Sequence, residues 1–456
     1  RHVAARGLPF TVWELGNEPN AWPLFHHGML VSPEAYAREL AELAALRDAE
    51  CPASRVAAPA TAWWPNIGEV PAVRLGLRPA VVADFLPRAL AAAAAAVRRA
   101  KPRRRPLPDI VSWHYSPGLS TRSALARYRG AIAAAGAVGG AALLAAIGAP
   151  SASAQVVGPA RAAAARIALA LVGALVSVLA TLAIALVRPV DMETLRSPRK
   201  LDTVKKWAAR VESAAAAAAT AGSSAASSGS TKDGGRGASA GSAPSAPLGG
   251  EMIREISEGE IWLGETGSAQ VGGQPDVSGR WGSTLWYLDQ LGVLALRSHA
   301  VQCRQTLSGS EYGLIDENGL QPTPDFWVAV LWKRLMGEHA HTVSLDPPGP
   351  KTLRVYCHTG AGAAEKAAGA GSTPTTYLAL NLGDTHAEIS LPAGAYMTWE
   401  VQGAGADLDA REVEINGARP MAQDDGTVAP IGGVRVDGEA LLCPPTSAVF
   451  ARACAV

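Results

Sequence analysis

Two glutamates each stand at the end of a short apolar run, close to a glycine: Glu18 in Trp13-Glu14-Leu15-Gly16-Asn17-Glu18-Pro19-Asn20, and Glu265 in Trp262-Leu263-Gly264-Glu265-Thr266. An isolated strand-end carboxylate is more often a helix cap or a loop ion-pair partner than a reactive group. A pair is different. If both runs are strands of one parallel barrel, their C-terminal ends share a face, and residues far apart in sequence converge there. Two convergent carboxylates can carry out retaining glycoside hydrolysis: one attacks the anomeric carbon, while the other protonates the leaving oxygen and later activates water. That division of labour needs one carboxyl protonated and one ionised near neutral pH, which unequal surroundings can enforce.

The elements around the pair follow an α/β rhythm. Residues 9–19 read as a short buried strand broken at Gly16, and Ser32-Pro33-Glu34 opens a helix that runs to about Ala49, with Ser as N-cap and Pro in the first turn. Arg55–Ala58 reads as a strand, Val81–Arg99 as a helix and Asp109–His114 as a strand. After a break the rhythm resumes: a helix over Leu201–Ala215, a strand over Glu260–Gly264, a helix over Arg280–Ala295, a strand over Val301–Thr306 and a helix over Pro324–Met336. From about Thr342 the period changes to two. Leu353–Tyr356, Thr376–Leu382, Ala387–Leu391, Tyr396–Gln402, Val413–Asn416, Val434–Val436 and Ser447–Ala453 read as short strands of an antiparallel sandwich.

Two stretches break the pattern. Ala131–Ala149 is rich in Ala and Gly, and Ile167–Val187 is uncharged and almost wholly apolar between Arg166 and Arg188, long enough to cross a bilayer. The alternatives are a poorly ordered alanine-rich insertion and translated non-coding sequence. The Ser/Ala/Gly tract that ends near Gly250 cannot bury a face and reads as a flexible linker. The expected organisation is therefore 1–130 as barrel, 131–187 as an insertion with a possible membrane span at 167–187, and 188–212 as a barrel helix. A linker over 213–250, barrel over 251–340 and a β-sandwich over 341–456 complete it.

Composition narrows the function classes. Of 456 residues, 48% are hydrophobic and 18% charged, which excludes wholesale disorder. Lys+Arg 41 against Asp+Glu 40 leaves +1, so no global field favours nucleic acid or an anionic membrane. Cys51, Cys303, Cys357, Cys443 and Cys454 form no CxxC pair, which argues against a zinc module, and no metal or cofactor is expected. Arg98–Arg105 is a local basic run that could meet an anionic glycan but more often marks a solvated helix end. His26-His27 and Trp63-Trp64 could shape a pocket rim or stack on sugar rings; the second pair could equally just pack its loop. Because the sequence opens on Arg1 with no signal peptide, a fragment or processed chain is expected.

Around Glu18 and Glu265 the sequence is specific enough for a resemblance. Trp13–Asn20 resembles the acid/base strand of the heparanase family (glycoside hydrolase family 79, of the clan A retaining hydrolases with (β/α)8 barrels), and Trp262–Ala269 resembles that family's nucleophile strand. The likeness continues through Trp286–Asp289, Leu291-Gly292, Arg304-Gln305, Tyr312–Asn318, Pro324–Trp327 and Leu353–Tyr356 into the carboxy-terminal strands. It covers roughly 1–128, 188–212 and 255–456. The implied fold is α/β plus all-β: a partial (β/α)8 TIM barrel holding strands four to eight, followed by an antiparallel β-sandwich.

By position, the resemblance implies Glu18 as general acid/base and Glu265 as nucleophile. Asn17 would hydrogen-bond the sugar 2-hydroxyl, and His114 and Tyr115 would stand near the nucleophile. Tyr312 would line the glucuronate subsite, with the backbone N–H groups of Gly272 and Gly273 meeting the sugar carboxylate. The implied partner is a uronic-acid-containing polysaccharide or proteoglycan rather than nucleic acid, in a secreted, lysosomal, vacuolar or membrane-associated setting. The family also suggests a disulfide between Cys357 and Cys454. The rival expectation is an inactive glycan-binding or membrane-anchored scaffold, since an open five-strand segment exposes edges and an apolar face.

Overall fold

In the computed structural model the α/β part is a five-stranded sheet of β1 (Val12–Glu14), β2 (Arg55–Trp63), β3 (Ile110–Tyr115), β4 (Glu260–Thr266) and β5 (His299–Arg304). The structure describes residues 11–22, 29, 31–63, 85–99, 108–118, 120, 189–223, 260–360, 375–423, 427–438 and 440–454. All four pairings are parallel, and the spatial order equals the chain order. A doubly wound sheet would reverse direction at a switch point. Steady progression to the next neighbour is instead how a barrel wall is laid down, so this sheet is part of a (β/α)8 barrel.

Local sequence explains the helices that cover it. In α1 (Pro33–Glu50) the Ser32 hydroxyl accepts from the Ala35 N–H at 3.0 Å, with Pro33 at the first helical position. Its Tyr36, Leu40 and Ala44 meet Phe85, Ala89 and Ala93 of α2 (Phe85–Arg99), with the Tyr36 and Phe85 rings edge to face at 5.5 Å. Small alanines let the two helices approach closely. Below this layer Arg47 joins Asp109 at 2.6 Å and donates to the Ser54 carbonyl, while Asp109 accepts from the Val56 N–H, so one ion pair fixes the starts of β2 and β3.

After α3 (Met192–Arg196) and α4 (Pro198–Leu201) comes α5 (Thr203–Ser223), which runs further than the sequence suggests. The linker expected from residue 213 is therefore corrected: Ala214 and Ala215 are buried in the main core. Alanine has the highest intrinsic helix propensity, so a tract read as featureless continues the helix once a neighbouring surface accepts its small side chains.

The helix α6 (Trp281–Ala295) is buried on all sides over residues 281–294, with its polar Thr284 and Asp289 held in buried hydrogen bonds. One side meets the barrel and the other the β-rich part. Its Trp281 donates to the Thr446 carbonyl at 2.7 Å, and its Asp289 accepts from the Tyr356 hydroxyl at 2.6 Å. The last barrel helix is α7 (Pro324–Leu335).

The β-rich part contains β6 (His339–His341), β7 (Leu353–Thr359), β8 (Thr375–Asn381), β9 (Ala387–Ser390), β10 (Ala395–Gly403), β11 (Val413–Ile415), β12 (Val434–Asp437), β13 (Ala440–Cys443) and β14 (Ser447–Ala453). Seven of these form one antiparallel sheet, ordered β11-β10-β14-β8-β7-β6 with β12 also on β10, and β13 pairs with β9. Leu441, Cys443 and Ile389 of the small pair share a core with Leu353, Ala379, Val449 and Ala451 of the larger sheet.

The expected disulfide is corrected. Cys357 and Cys454 are free thiols. The strand β8 lies between β7 and β14, with Cys357 opposite Tyr377 and Tyr377 opposite Ala451, so the two cysteines are two strand spacings apart and further offset along the strands. Two spacings alone are about 9–10 Å, beyond the roughly 7 Å limit for a bridge.

Among the described residues, no helix is long and apolar enough to cross a membrane. The stretch Ala131–Val187 with its expected span, His26, His27, Trp64 and 100–105 of the basic run lie outside the described residues.

Candidate active site

The site forms where β1, β3 and β4 end. Alternation along β3 sends Trp113 and Tyr115 to the helix-covered side, where both join the main core, and His114 to the opposite side. Tyr115 is thereby removed from the site expected for it. It contributes its carbonyl, which accepts from the Thr266 hydroxyl at 2.9 Å.

Strict alternation along β4 would put Glu265 on the same side as Leu263, which is buried in that core. It does not hold, because the register against β3 shifts there: Trp113 pairs with Leu263, but His114 pairs with Glu265. Gly264 is the extra residue of a bulge, and the bulge re-aims the carboxylate. Neighbouring side chains approach this position closely. A Cβ at 264 would stand 3.3 Å from Glu14 Oε1 and 3.5 Å from Ser112 Cβ.

Glu18 is placed by a different device. The strand β1 is short, but the chain beyond it keeps a ladder with β2: the Glu18 N–H donates to the Ala60 carbonyl at 3.0 Å. The Asn20 side chain then stands in for backbone, donating to the Ala62 carbonyl at 3.0 Å and accepting from the Ala62 N–H at 2.9 Å. Between these anchors Glu18 takes φ 50°, in the left-handed region that a non-glycine residue enters at a cost of about 1–3 kcal/mol. Asn17 beside it is exposed, and its carbonyl accepts from Trp22 Nε1 at 2.7 Å.

These devices bring Glu18, His114 and Glu265 together. His114 Nδ1 lies 3.0 Å from Glu18 Oε1 and 3.7 Å from Glu265 Oε2. One donor atom from each of the three falls within 4.8 Å of the others. Such a trio has the ligand types for a divalent cation, yet an imidazole bridging two carboxylates also serves proton chemistry without one. One oxygen of Glu18 thus lies within 4.8 Å of one of Glu265, short of the roughly 6.5–9.5 Å of inverting glycosidases.

Burial works against charge on His114, but the hydrogen bond to Glu18 and the carboxylates of Glu265 and Glu14 outweigh it, so its pKa stands above the ordinary histidine value. Burial raises the Glu265 carboxyl above its usual range; His114 opposes this, and Glu18 and Glu14 add to it.

Tyr312 is also in place. Its buried ring lies against Gly267 and Gly273, where an added Cβ would come within 2.7 Å and 2.9 Å of ring carbons. Its hydroxyl donates to Gln305 Oε1 at 2.6 Å and accepts from the Gly272 N–H at 3.2 Å. Gly272 and Gly273 have φ 86° and 93°, the left-handed backbone that a glycine adopts without strain. The residues expected to receive a sugar carboxylate are thus connected, with the Gly272 N–H engaged by the tyrosine.

Sequence reasoning gave no role to Glu14, Asn20, Gln305 or the Arg304–Asp325 pair. The signal for Asn20 was present, an Asn two residues past the acid in a turn, but its partner on β2 could not be read from spacing.

No family model matches the chain. Several curated relatives do, three of them as follows. Heparanase-like protein 1 of Arabidopsis thaliana is 46% identical over 103 residues, 23% of this chain and 19% of its own length. Baicalin-beta-D-glucuronidase of Scutellaria baicalensis is 32% identical over 181 residues, 39% of this chain and 32% of its own length. Heparanase of Gallus gallus is 33% identical over 175 residues, 37% of this chain and 33% of its own length. Over these segments the chain is similar to heparanases. The matched part spans at most about a third of these proteins. Among solved structures, CelM2, a bifunctional glucanase-xylanase from a metagenome library, aligns with TM-score 0.50 and 12% identity over 99% of this chain and 66% of its own. At that identity the likeness concerns the fold, and it agrees with the barrel-type sheet.

Proposed function

We propose that the chain carries the catalytic centre of a retaining β-glucuronidase of heparanase type, acting on glucuronic-acid-containing glycans. The observation that carries this reading is the carboxylate pair at the ends of β1 and β4, with donor atoms within 4.8 Å across His114. The relatives' names supply the substrate class: two are heparanases or heparanase-like, and one is a β-glucuronidase.

In the first step Glu265 forms a bond to the anomeric carbon as the glycosidic C–O bond breaks, and Glu18 gives its proton to the departing oxygen. In the second, the Glu18 carboxylate takes a proton from water, whose oxygen attacks the anomeric carbon and releases Glu265. Asn17 holds the sugar 2-hydroxyl. The Gly272 N–H, with Tyr312 and Gly273, receives the uronate, which displaces the tyrosine hydroxyl from that N–H.

The raised pKa of Glu265 would by itself also suit a proton donor, so the roles need a chemical test. With an aryl β-glucuronide, Glu265→Gln should abolish turnover on good and poor leaving groups alike. Glu18→Gln should leave kcat/KM, which reports the first step, nearly unchanged for activated aryl leaving groups and lower it most for poor ones, while kcat falls for all because the second step loses its base. The first product anomer seen by proton NMR should be β. An α product, or the opposite leaving-group pattern, overturns the assignment.

A further inference from the structure

At the end of β5 stands an ion pair to which the reaction above gives no part. Arg304 and Asp325 are buried to 3% and 1% side-chain exposure, with Nη2 2.7 Å and Nε 3.0 Å from Asp325 Oδ2. Asp325 Oδ1 accepts from the Thr284 hydroxyl at 2.6 Å, so the carboxylate is committed on both oxygens.

The remaining arm of the guanidinium is turned toward the site. Nη1 donates to the Thr266 carbonyl at 3.2 Å, on the residue directly after Glu265, and the Gln305 N–H donates to the same oxygen at 2.9 Å. The guanidinium carbon lies 5.2 Å from the centroid of the Tyr312 ring and 5.5 Å from that of Tyr287, within cation–π range of both.

We propose that Arg304, held by Asp325, is a positioning residue that fixes the Tyr312 ring and the Glu265 end of β4 relative to each other. A buried ion pair is weak support for stability, since well-packed apolar residues often replace one at little cost. What this pair supplies is direction. Five N–H groups in one rigid plane reach Asp325, a strand-end carbonyl and two ring faces, and a lysine with its single nitrogen cannot do all of that.

The inference rests on the glycosidase reading for its functional meaning, and the test separates the two. The chain is labelled with 3-fluorotyrosine, and the Tyr312 fluorine signal is assigned by its loss in Tyr312→Phe. Three variants are compared with the unsubstituted chain: Arg304→Lys, Asp325→Asn and the apolar pair Arg304→Met/Asp325→Leu, the last of which leaves no unpaired buried charge.

The expected result is a displaced Tyr312 signal in folded variants. On an aryl β-glucuronide, KM should rise and kcat/KM should fall on the order of 10–100-fold, the scale of a small misplacement. A merely structural role would lower the active fraction, and so kcat, while leaving KM alone. An unchanged signal, or an unchanged KM in a folded variant, overturns the proposal, as does the failure of all three variants to fold. If the unsubstituted chain hydrolyses no glucuronide while the signal still moves, the glycosidase reading fails and the positioning of Tyr312 by Arg304 stands.

Discussion

Truncating Asn20 to alanine isolates the device that carries Glu18. The side chain is 1% exposed and makes two hydrogen bonds to one residue, Ala62, itself fully buried, so Asn20→Ala strands a donor and an acceptor together. Each buried group left unpaired costs about 1–3 kcal/mol. Water entering the space vacated by the amide recovers part of that, giving about 2–4 kcal/mol for the pair. The loss should be local, because β2 keeps its parallel pairing to β3 on the other side. Hydrogen exchange resolved to the peptide spanning Ala60–Ala62 should therefore accelerate about 30- to 700-fold, at about 1.4 kcal/mol per tenfold, while peptides from β7 and β8 do not change. Asn20→Asp keeps an acceptor for the Ala62 N–H but loses the donor, and should fall between the two. Glu18 should then relax from its left-handed backbone, lowering kcat more than it raises KM. Acceleration below about threefold in Asn20→Ala would refute the view that this amide holds the acid in place.

Other consequences are as direct. Asp109→Ala leaves the buried Arg47 with only the exposed Asp48 as counter-ion and removes the acceptor of the Val56 N–H, and should cost about 2–4 kcal/mol in denaturant unfolding followed by far-UV circular dichroism, less than the roughly 3–5 kcal/mol of a wholly unpaired buried charge. In His114→Gln the cation that opposes the raised pKa of Glu265 is gone. Since the nucleophile must be ionised, the acidic limb of kcat/KM, already above the ordinary glutamate range, should move to still higher pH; a shift to lower pH would contradict the electrostatics. Gly267→Ala drives a methyl within 2.7 Å of the buried Tyr312 ring, so it should raise KM for an aryl glucuronide and cost about 1–3 kcal/mol of stability as an overpacked contact.

Much of the fold was legible because period and punctuation agreed. Ser32-Pro33 marked the start of α1, and the seven short strands expected after Thr342 all occur. The strands missed, β6 and β13, lack the cue: His339-Ala340-His341 has no apolar alternation, and Ala440-Leu441-Leu442-Cys443 is apolar at every position although only alternate residues face the core. The alanine tract after Ala215 departs from the sequence pattern for the opposite reason, since poverty of pattern does not prevent a helix where a core accepts small side chains.

At the site, Glu18, Glu265, His114 and Tyr312 could be named from motif and resemblance. Tyr115 could not be excluded, because its removal depends on which face of β3 meets the helices. Nor could the bulge at Gly264 be foreseen, since it depends on register against a strand far away in sequence. Arg304 and Asp325 were hidden for the same reason: a buried ion pair between the end of a strand and the following helix leaves no spacing to read.

The most direct test of the central claim is covalent trapping. A 2-fluoro-β-glucuronyl fluoride slows both chemical steps, but its good leaving group lets the first proceed, so a retaining enzyme accumulates as a glycosyl ester. Intact mass should increase by one fluoroglucuronyl unit, and peptide mapping should place it on Glu265, with no adduct in Glu265→Gln. An adduct on Glu18, or hydrolysis of an aryl β-glucuronide with no adduct anywhere, would contradict the assignment of Glu265 as nucleophile.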